Sequence, residues 1–286
     1  MMRALAYAKV NLSLHVAAAA GPRHPVSGLF QSIGWADRLS LETAEEDVIA
    51  GEDGRPVIAG ADNLAWRAAV AVRDLAETER AMALTLDKQI PAAAGLGGGS
   101  ADAAAALALA GSLYGVGPHA QSTLAASLGS DVPFCLAGGL AHVSGTGEVV
   151  EPLDPAGGYA LALVVPPVEV STAAVYAVWD RLDGPVGPPT GGNDLPPSLR
   201  GLGPLRNDLY PAAVAVAPEI DEWRAEMESR WGRPVILTGS GPTLFAFFVD
   251  EAEAIAALEA APVGARALHA AEPVGRGWEF LENGDE

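Results

Sequence analysis

Four glycines stand within five positions of the stretch "PAAAGLGGGSADAA", at Gly95, Gly97, Gly98 and Gly99, immediately before an alanine-rich run. Glycine in a loop costs backbone entropy, and a simple turn does not require four of them. A loop without side chains that leads into a helix brings backbone N–H groups and the positive end of the helix dipole to one point, where an anion can bind. The stretch therefore indicates a phosphate-binding loop. A tight turn that packs the helix against its strand is the structural alternative.

Two common nucleotide-binding motifs do not fit this loop. The P-loop needs a lysine directly after its glycines, and none follows here. The dinucleotide fingerprint needs a third glycine where Ser100 stands and an acidic residue about 20 positions further on, where the sequence reads "QSTLAA". Ser100 and Asp102 lie where the helix should begin, either as caps or as polar ligands beside a nucleotide.

A strand near the start of the chain supplies a second set of polar side chains. In "LAYAKVNLSLHV" one alternate set is apolar: Ala6, Ala8, Val10, Leu12, Leu14 and Val16. This period of two predicts a strand with one buried face and one polar face, on which Lys9 and Asn11 are neighbours. For Lys9, the alternative to a functional role is an edge lysine whose ammonium reaches water.

The remaining elements alternate irregularly between strands and helices. Few clean βαβ units are visible, so the order predicts an α+β fold in two lobes, residues 1–155 and 156–286. The proline- and glycine-rich stretch 182–205 predicts a long functional or mobile connection. Helices are predicted over 63–76, 100–115, 120–129, 218–230 and 251–261, with a short one after Asp131, and strands over 37–44, 82–90, 140–144, 158–167, 233–239 and 244–249.

Composition limits the class of protein. The 286 residues include 17 basic and 36 acidic side chains, a net charge of −19, which argues against nucleic acid as a partner. The lone cysteine, Cys135, excludes an intrachain disulfide and multi-thiolate metal sites. Polar residues interrupt the N-terminal apolar run, so we expect no signal peptide, and no uncharged run is long enough to span a membrane. These features predict a cytoplasmic protein without a membrane partner.

The glycine-rich stretch resembles the phosphate-binding motif of the GHMP kinases, P-x-x-x-G-L-x-[SG]-[SG]-x-[SA]. The triple glycine followed by S-x-D-A-A is similar to the branch of that superfamily that acts on a cytidyl diphosphate substrate. The likeness continues in order along the chain through "AKVNLSLHV", "LFQSIGWADRLSLE", "DNLAWRAA", "GSDVPFCLAGGLAHVSGTGE", "VEVSTAAVY" and "LTGSGPTLFAFF". It implies a two-lobed GHMP-kinase-like fold, with an N-terminal nucleotide-binding lobe and a C-terminal ferredoxin-like lobe.

The resemblance also implies an activity. It is ATP-dependent phosphorylation of the 2-hydroxyl of a diphosphocytidyl methylerythritol, in the non-mevalonate route to isoprenoid precursors. Mg²⁺ is expected with ATP, held mainly through phosphates and water and without a dedicated protein metal site. A kinase for another alcohol, of the homoserine or mevalonate type, and a non-catalytic nucleotide-binding protein remain alternatives. A monomer or weak homodimer is expected.

The residues of the site follow from the same resemblance. Asp131 would take the proton of the substrate hydroxyl, and Lys9 would orient that hydroxyl and stabilise the developing charge. For Asp131 the alternative is a helix N-cap. Nucleotide-binding residues would be Pro91, Ala92, Ala93, Ala94, Gly95, Leu96, Gly97, Gly98, Gly99, Ser100 and Ala101, with Asn63 and Lys88 on the adenine and ribose side. Substrate-binding residues would be Asn11, His24, Thr172, Gly239 and Gly241.

Simpler explanations exist for several of these residues. Asn63 fits a helix N-cap, Lys88 an exposed strand end, His24 a surface-loop histidine, and the "GSG" turn at 239–241 a plain hairpin. Next to His24, Arg23 stands where the family has a tyrosine that stacks on the cytosine. An arginine can also stack on a flat ring and can reach a diphosphate.

Overall fold

The structure, a computed structural model, describes residues 1–19, 21, 23–58 and 60–282. Its two sheets confirm the predicted α+β architecture. The eight-stranded first sheet has the order β12-β1-β3-β5-β4, with β2 and β6 also paired to β3 and with β7 paired to β6. Its strands are β1 (Met2–Asn11), β2 (His15–Val16), β3 (Val26–Thr43), β4 (Val48–Gly51), β5 (Met82–Asp87), β6 (Leu140–Gly145), β7 (Val149–Pro152) and β12 (Trp278–Leu281).

The helices of the first lobe lie close to their predicted bounds. They are α1 (Leu64–Leu75), α2 (Gly98–Tyr114), α3 (Pro118–Leu128) and α4 (Val132–Ala137). Helix α2 is buried without interruption from Ala101 to Gly111, because most of its side chains there are alanines, which let β1, α1 and α4 approach closely. It ends at Gly115, one of the two glycines, with Gly117, that the sequence offers as its C-cap, and Gly115 adopts the left-handed conformation common at that position.

The second lobe has a four-stranded antiparallel sheet with the order β11-β8-β10-β9. Numbered within the lobe this order is 4-1-3-2, and a helix follows its first and its third strand, as in the ferredoxin-like fold that the resemblance implies. The strands are β8 (Ala160–Val165), β9 (Ile236–Leu237), β10 (Leu244–Phe248) and β11 (Ala267–Ala271). The helices are α5 (Thr172–Arg181), α6 (Tyr210–Val216), α7 (Glu219–Trp231) and α8 (Glu251–Glu259).

The connection 182–205 is irregular but packed. It contains two 3₁₀ turns, Gly192–Asp194 and Pro197–Leu202, and buries Leu195, Leu199 and Leu205 in the core between the lobes. Among the residues described, no helix combines the length and apolar character needed to cross a membrane.

Strand β12 returns across the predicted domain boundary at residue 155. It leaves the second lobe and pairs antiparallel with β1, from Arg3 opposite Leu281 to Ala6 opposite Trp278. The C-terminal segment thus completes the edge of the first sheet, and the domain boundary at residue 155 stays a prediction. The sequence of β12 is short and carries no signal of its pairing partner.

Strand β1 has the predicted alternation of residues, but its buried side chains pack against two different parts of the protein. Ala6 packs under the helices, whereas Ala8 and Val10 pack against the second sheet. This change coincides with a shift in the β1–β3 register between Tyr7 and Lys9, the mark of a β-bulge. The polar face is covered at Lys9 by the second lobe and the glycine loop, and this residue is 4% exposed.

The junction of β12 with α4 leads to a prediction about stability. A Cβ atom at Gly277 would lie 1.8 Å from the carbonyl oxygen of Cys135, which is backbone and cannot move aside cheaply. We expect Gly277→Ala to lower the free energy of unfolding by about 3 kcal/mol, measured by urea denaturation. Gly275→Ala is the matched control, since its Cβ would meet no atom of the described residues within 4 Å. Equal stability of both variants would contradict the close backbone packing.

Candidate active site

A cavity of about 640 Å³ lies between the two lobes. It is lined by the end of β1, the glycine loop, the start of α4, helix α5 and the turn between β9 and β10. It brings together nine of the predicted site residues: Lys9, Asn11, His24, Gly95, Gly97, Ser100, Asp131, Thr172 and Gly239.

Lys9 is held at the floor of this cavity by both backbone and side chain. Its N–H donates to the carbonyl of Leu96 (2.9 Å), because the bulge in β1 turns this group away from β3 and toward the glycine loop. Its ammonium donates to Asn11 Oδ1 (2.8 Å) and lies 3.2 Å from Asp131 Oδ2. Only 5% of the side chain is exposed, so Lys9 is not a lysine that reaches water from a sheet edge.

Asp131 stands at the N-cap position of α4, but its side chain makes no capping hydrogen bond. The N-cap alternative therefore does not account for this carboxylate. It faces Lys9 instead, and a third of the side chain is open to the cavity. A carboxylate that is paired with a buried lysine and still accessible can accept a proton from a bound hydroxyl.

The glycine loop combines close packing with an open helix start. Gly95 (φ +78°) and Gly97 (φ +69°) lie against protein: a Cβ would come within 2.9 Å of the Gly241 carbonyl oxygen and 2.8 Å of Lys9 Cγ. The turn-packing alternative explains these two glycines. It does not explain Gly99, which is exposed and whose Cβ would meet no described atom within 4 Å.

The first turn of α2 has three backbone N–H groups without an acceptor among the described residues. The first intrahelical bond runs from the N–H of Ala101 to the carbonyl of Gly97 (2.8 Å). The N–H groups of Gly98, Gly99 and Ser100 precede it, at the positive end of a 17-residue helix. They suit a phosphate group.

The second lobe fixes the strand side of this loop. Thr243 donates from its hydroxyl to the Ala94 carbonyl (2.6 Å), and Arg266 donates to the Ala92 carbonyl (3.0 Å). In the first lobe, Trp35 Nε1 donates to the carbonyl of Gln89 (3.1 Å). The loop is therefore preorganised rather than dependent on a ligand to order it.

The turn between β9 and β10 reaches the same floor. Asn11 N–H donates to Thr238 Oγ1 (2.8 Å), which joins β1 directly to the second lobe. Thr172 and Ser240 share a hydrogen bond (2.8 Å) that ties the start of α5 to this turn. The turn has more contacts than a plain hairpin needs, and Gly239 faces Asn11 and Lys9.

Asn207 holds this turn in place and was missed in the sequence. Its buried amide donates to the carbonyls of Leu237 (2.8 Å) and Gly239 (2.7 Å), while its Oδ1 accepts from the N–H of Leu209 (2.9 Å). The position carried no signal, because an asparagine before a helix suggests only a cap.

We expect Asn207→Ala to lower the free energy of unfolding by about 3 kcal/mol, because it leaves buried backbone groups without partners. In the phosphorylation reaction that the resemblance implies, it should raise KM more than it lowers kcat. Thermal unfolding and steady-state kinetics check this. Asn193→Ala, in an exposed turn, is the control. Unchanged stability in Asn207→Ala would show that water replaces the lost contacts.

His24 lies at the far end of the cavity in an aromatic setting. Its Nε2 is 2.8 Å from Asp180 Oδ1, and its ring lies 4.9 Å from the ring of Tyr176 and edge-on to Trp179 at 5.6 Å between centroids. The side chain is 13% exposed, so it is not a free surface histidine. Arg23 lines the same end. Tyr176 and Asp180 were not predicted from the sequence.

Asn63 and Lys88, expected on the adenine and ribose side, do not line this cavity. Asn63 is the N-cap of α1, where its Oδ1 accepts from Ala65 and Trp66. The ammonium of Lys88 contacts Asp37 and Asp102. The other predicted residues belong to the two glycine segments but do not line the cavity itself. They are Pro91, Ala92, Ala93, Ala94, Leu96, Gly98, Gly99, Ala101 and Gly241. Their contact with a nucleotide stays a prediction.

Across the part of the chain that the structure describes, no three His, Cys, Asp or Glu side chains are grouped to hold a metal ion. The polar side chains that line the cavity include Ser100, in the first turn of α2, and Asp131, before α4. They fit a cation that keeps most of its ligands from phosphate and water.

Comparison with known proteins identifies the class. Two family models match the chain. The model of the GHMP kinases N terminal domain matches residues 63–139, and the model of the GHMP kinases C terminal matches residues 198–262. The 4-diphosphocytidyl-2-C-methyl-D-erythritol kinase of Moorella thermoacetica is 38% identical over 86% of this chain and 89% of its own, and that of Cereibacter sphaeroides (strain KD131) is 39% identical over 91% and 94%. A crystal structure of 4-(cytidine 5'-diphospho)-2C-methyl-D-erythritol kinase superposes with a TM-score of 0.77 at 31% identity, covering 96% of this chain and 100% of the other. The chain therefore belongs to this family of GHMP kinases, which confirms the resemblance seen in its motifs.

Proposed function

We propose that this enzyme transfers the γ-phosphoryl group of ATP to the 2-hydroxyl of 4-diphosphocytidyl-2-C-methyl-D-erythritol, a step in isoprenoid precursor biosynthesis. The observation that carries the proposal is the 3.2 Å contact between Lys9 Nζ and Asp131 Oδ2 beside the start of α2, in one cavity with His24. The names of relatives at 38% and 39% identity support the choice of alcohol.

The reaction divides between the two charged side chains. The Asp131 carboxylate accepts the proton of the substrate hydroxyl as its oxygen forms a bond to the γ-phosphorus and the bond to the β-phosphate oxygen breaks. Lys9 holds the same hydroxyl oxygen and stabilises the charge that builds between donor and acceptor. Asn11 keeps the ammonium of Lys9 aimed at this point. ADP and the phosphorylated alcohol leave.

The triphosphate of ATP occupies the open N–H groups at Gly98, Gly99 and Ser100 in this proposal. Mg²⁺, when bound with ATP, neutralises phosphate charge, and Ser100 and Asp131 are the residues placed to approach it or its water ligands. The cavity's other end receives the cytidyl diphosphate. There the flat rings of His24 and Tyr176 offer a surface for the base, and Arg23 offers a cation for the diphosphate.

The decisive experiment incubates the purified protein with ATP–Mg²⁺ and each of four alcohols, and detects phosphorylated product by mass. The alcohols are diphosphocytidyl methylerythritol, mevalonate, homoserine and galactose. We expect a product from the cytidyl substrate alone. A product from another alcohol would keep the Lys9–Asp131 chemistry but replace the substrate. ATP binding without any product would favour the non-catalytic alternative.

The surroundings of the enzyme are a further part of the proposal. The single cysteine, Cys135, is buried, which suits a reducing cytoplasm. We propose a monomer or weak homodimer, to be checked by sedimentation velocity over a tenfold range of concentration.

A further inference from the structure

A buried ionic cluster lies directly beneath the glycine loop and outside the cavity. It consists of Asp37 on β3, Lys88 at the end of β5 and Asp102 in the first turns of α2. The Lys88 ammonium contacts Asp37 Oδ2 and donates to Asp102 Oδ2 (2.5 Å). Asp37 Oδ1 accepts from the backbone N–H groups of Gln89 (2.6 Å) and Ile90 (2.8 Å), where the chain enters the loop.

The cluster therefore holds both ends of the glycine loop in place through hydrogen bonds and ion pairs. Asp37 fixes the entry at Gln89 and Ile90, and the bridge through Lys88 fixes the exit, because Asp102 lies just after the N–H groups that suit a phosphate. Asp37 is fully buried and Asp102 is 4% exposed. The oxygen Asp102 Oδ1 is buried and has no hydrogen-bond partner within the described residues. Removing charged groups from water costs free energy, which only good pairing geometry and further hydrogen bonds offset.

We propose that Asp37, Lys88 and Asp102 form a clamp that positions the glycine loop for the triphosphate of ATP, with Lys88 acting as a positioning residue and not as a contact to adenine. The inference rests on the proposed use of ATP, but not on the identity of the alcohol. It assigns Lys88 a role different from the one that the family resemblance implies.

The charge state of the clamp matters for an anionic ligand. Burial, reinforced by the charge of Asp37 and opposed by Lys88, raises the pKa of Asp102 to about 8. Burial lowers the pKa of Lys88, but the two carboxylates outweigh it and the net shift is upward. The groups that face Asp102 are thus Asp37, the Lys88 cation and, from α4, the thiol of Cys135, which burial keeps neutral by raising its pKa. The raised pKa favours the protonated form of Asp102 near neutral pH, and its ionisation at higher pH adds one negative charge close to the phosphate site.

The first test replaces Lys88 with methionine and measures binding by calorimetry without any alcohol. The probes are ATP–Mg²⁺ and, as a competitor lacking base and ribose, inorganic tripolyphosphate. We expect both to bind about tenfold more weakly, because the loop amides lose their alignment. Loss of affinity for ATP alone would assign Lys88 to the base and overturn the clamp, as would unchanged affinity for both. Arg80→Met, which removes an exposed cation ahead of β5, is the control.

The second test uses Asp102→Asn, which keeps the shape of the protonated acid and should fold even if Lys88→Met does not. From pH 7 to pH 9 the affinity of the wild type for ATP–Mg²⁺ should fall about fivefold more than that of the variant. Equal pH profiles would overturn the clamp's charge control, and Asp74→Asn on α1 should behave like the wild type.

Relative to Asp102→Asn, the wild type should also lose stability as the pH rises from about 4 to about 8, because the folded state holds a proton there that the unfolded chain has released.

Both tests distinguish this inference from the proposed function. If the wild type binds ATP but phosphorylates none of the four alcohols, the proposed function fails while the binding data still decide the clamp. If it phosphorylates the cytidyl substrate and Lys88→Met binds tripolyphosphate normally, the clamp fails and the function stands.

Discussion

Asp131→Asn is expected to lower kcat by roughly 10²- to 10⁴-fold while the dissociation constant for ATP–Mg²⁺ changes by less than about threefold. Asparagine fills the same space but cannot accept the hydroxyl proton. The side chain caps no helix, so the exchange leaves α4 intact. Single-turnover kinetics with the cytidyl substrate measure the chemical step directly.

A control for this variant is Asp154→Asn, which changes an exposed carboxylate between the two lobes by the same atoms. It should leave kcat and thermal stability unchanged. Turnover of Asp131→Asn within about threefold of the wild type would remove Asp131 from the proton transfer, and solvent or the substrate's own phosphate would then have to take the proton.

Lys9→Met should be nearly as damaging, with kcat reduced by roughly 10²- to 10³-fold. Methionine matches the apolar stem of lysine beside Gly97 and Phe30, so the floor of the cavity stays filled. Asp131 keeps contact with solvent and is not left as a buried lone charge. Stability should therefore change little, and the loss should appear in kcat.

The comparison for Lys9→Met is Arg3→Met, which removes an exposed cation from the same strand. Lys9→Arg is expected not to restore activity. The Lys9 ammonium fits between Asn11 Oδ1 (2.8 Å) and Asp131 Oδ2 (3.2 Å) with 5% of the side chain exposed, whereas the planar guanidinium is larger and presents its donors in a different geometry. Recovery of activity in Lys9→Arg would mean that charge alone is sufficient there.

Local signals predicted the parts of the site that depend on local structure. The glycines before α2 and the alternation in β1 gave the loop, the helix start and the neighbouring positions of Lys9 and Asn11, because each depends on residues within one turn or one strand. The N-cap role of Asn63 was likewise available from its position before an apolar helix.

The remainder of the site depends on contacts that no short stretch encodes. Asn11 and Thr238 are 227 positions apart, and their hydrogen bond forms only when the lobes meet. The β1 bulge, which turns the N–H of Lys9 to the glycine loop, coincides with packing against the second sheet and leaves no mark in the alternation of residues. Lys88 looked like an exposed strand end because its acidic partners come from β3 and α2.

The pairing of β12 with β1 joins two strands that are synthesised at different times. The strand that carries Lys9 leaves the ribosome well before the strand that covers its edge, Trp278–Leu281. Until then β1 exposes unpaired N–H and C=O groups that any extended chain can bind. A nascent chain that stalls before residue 278 therefore presents an open edge, which makes truncated products targets for chaperones or for aggregation.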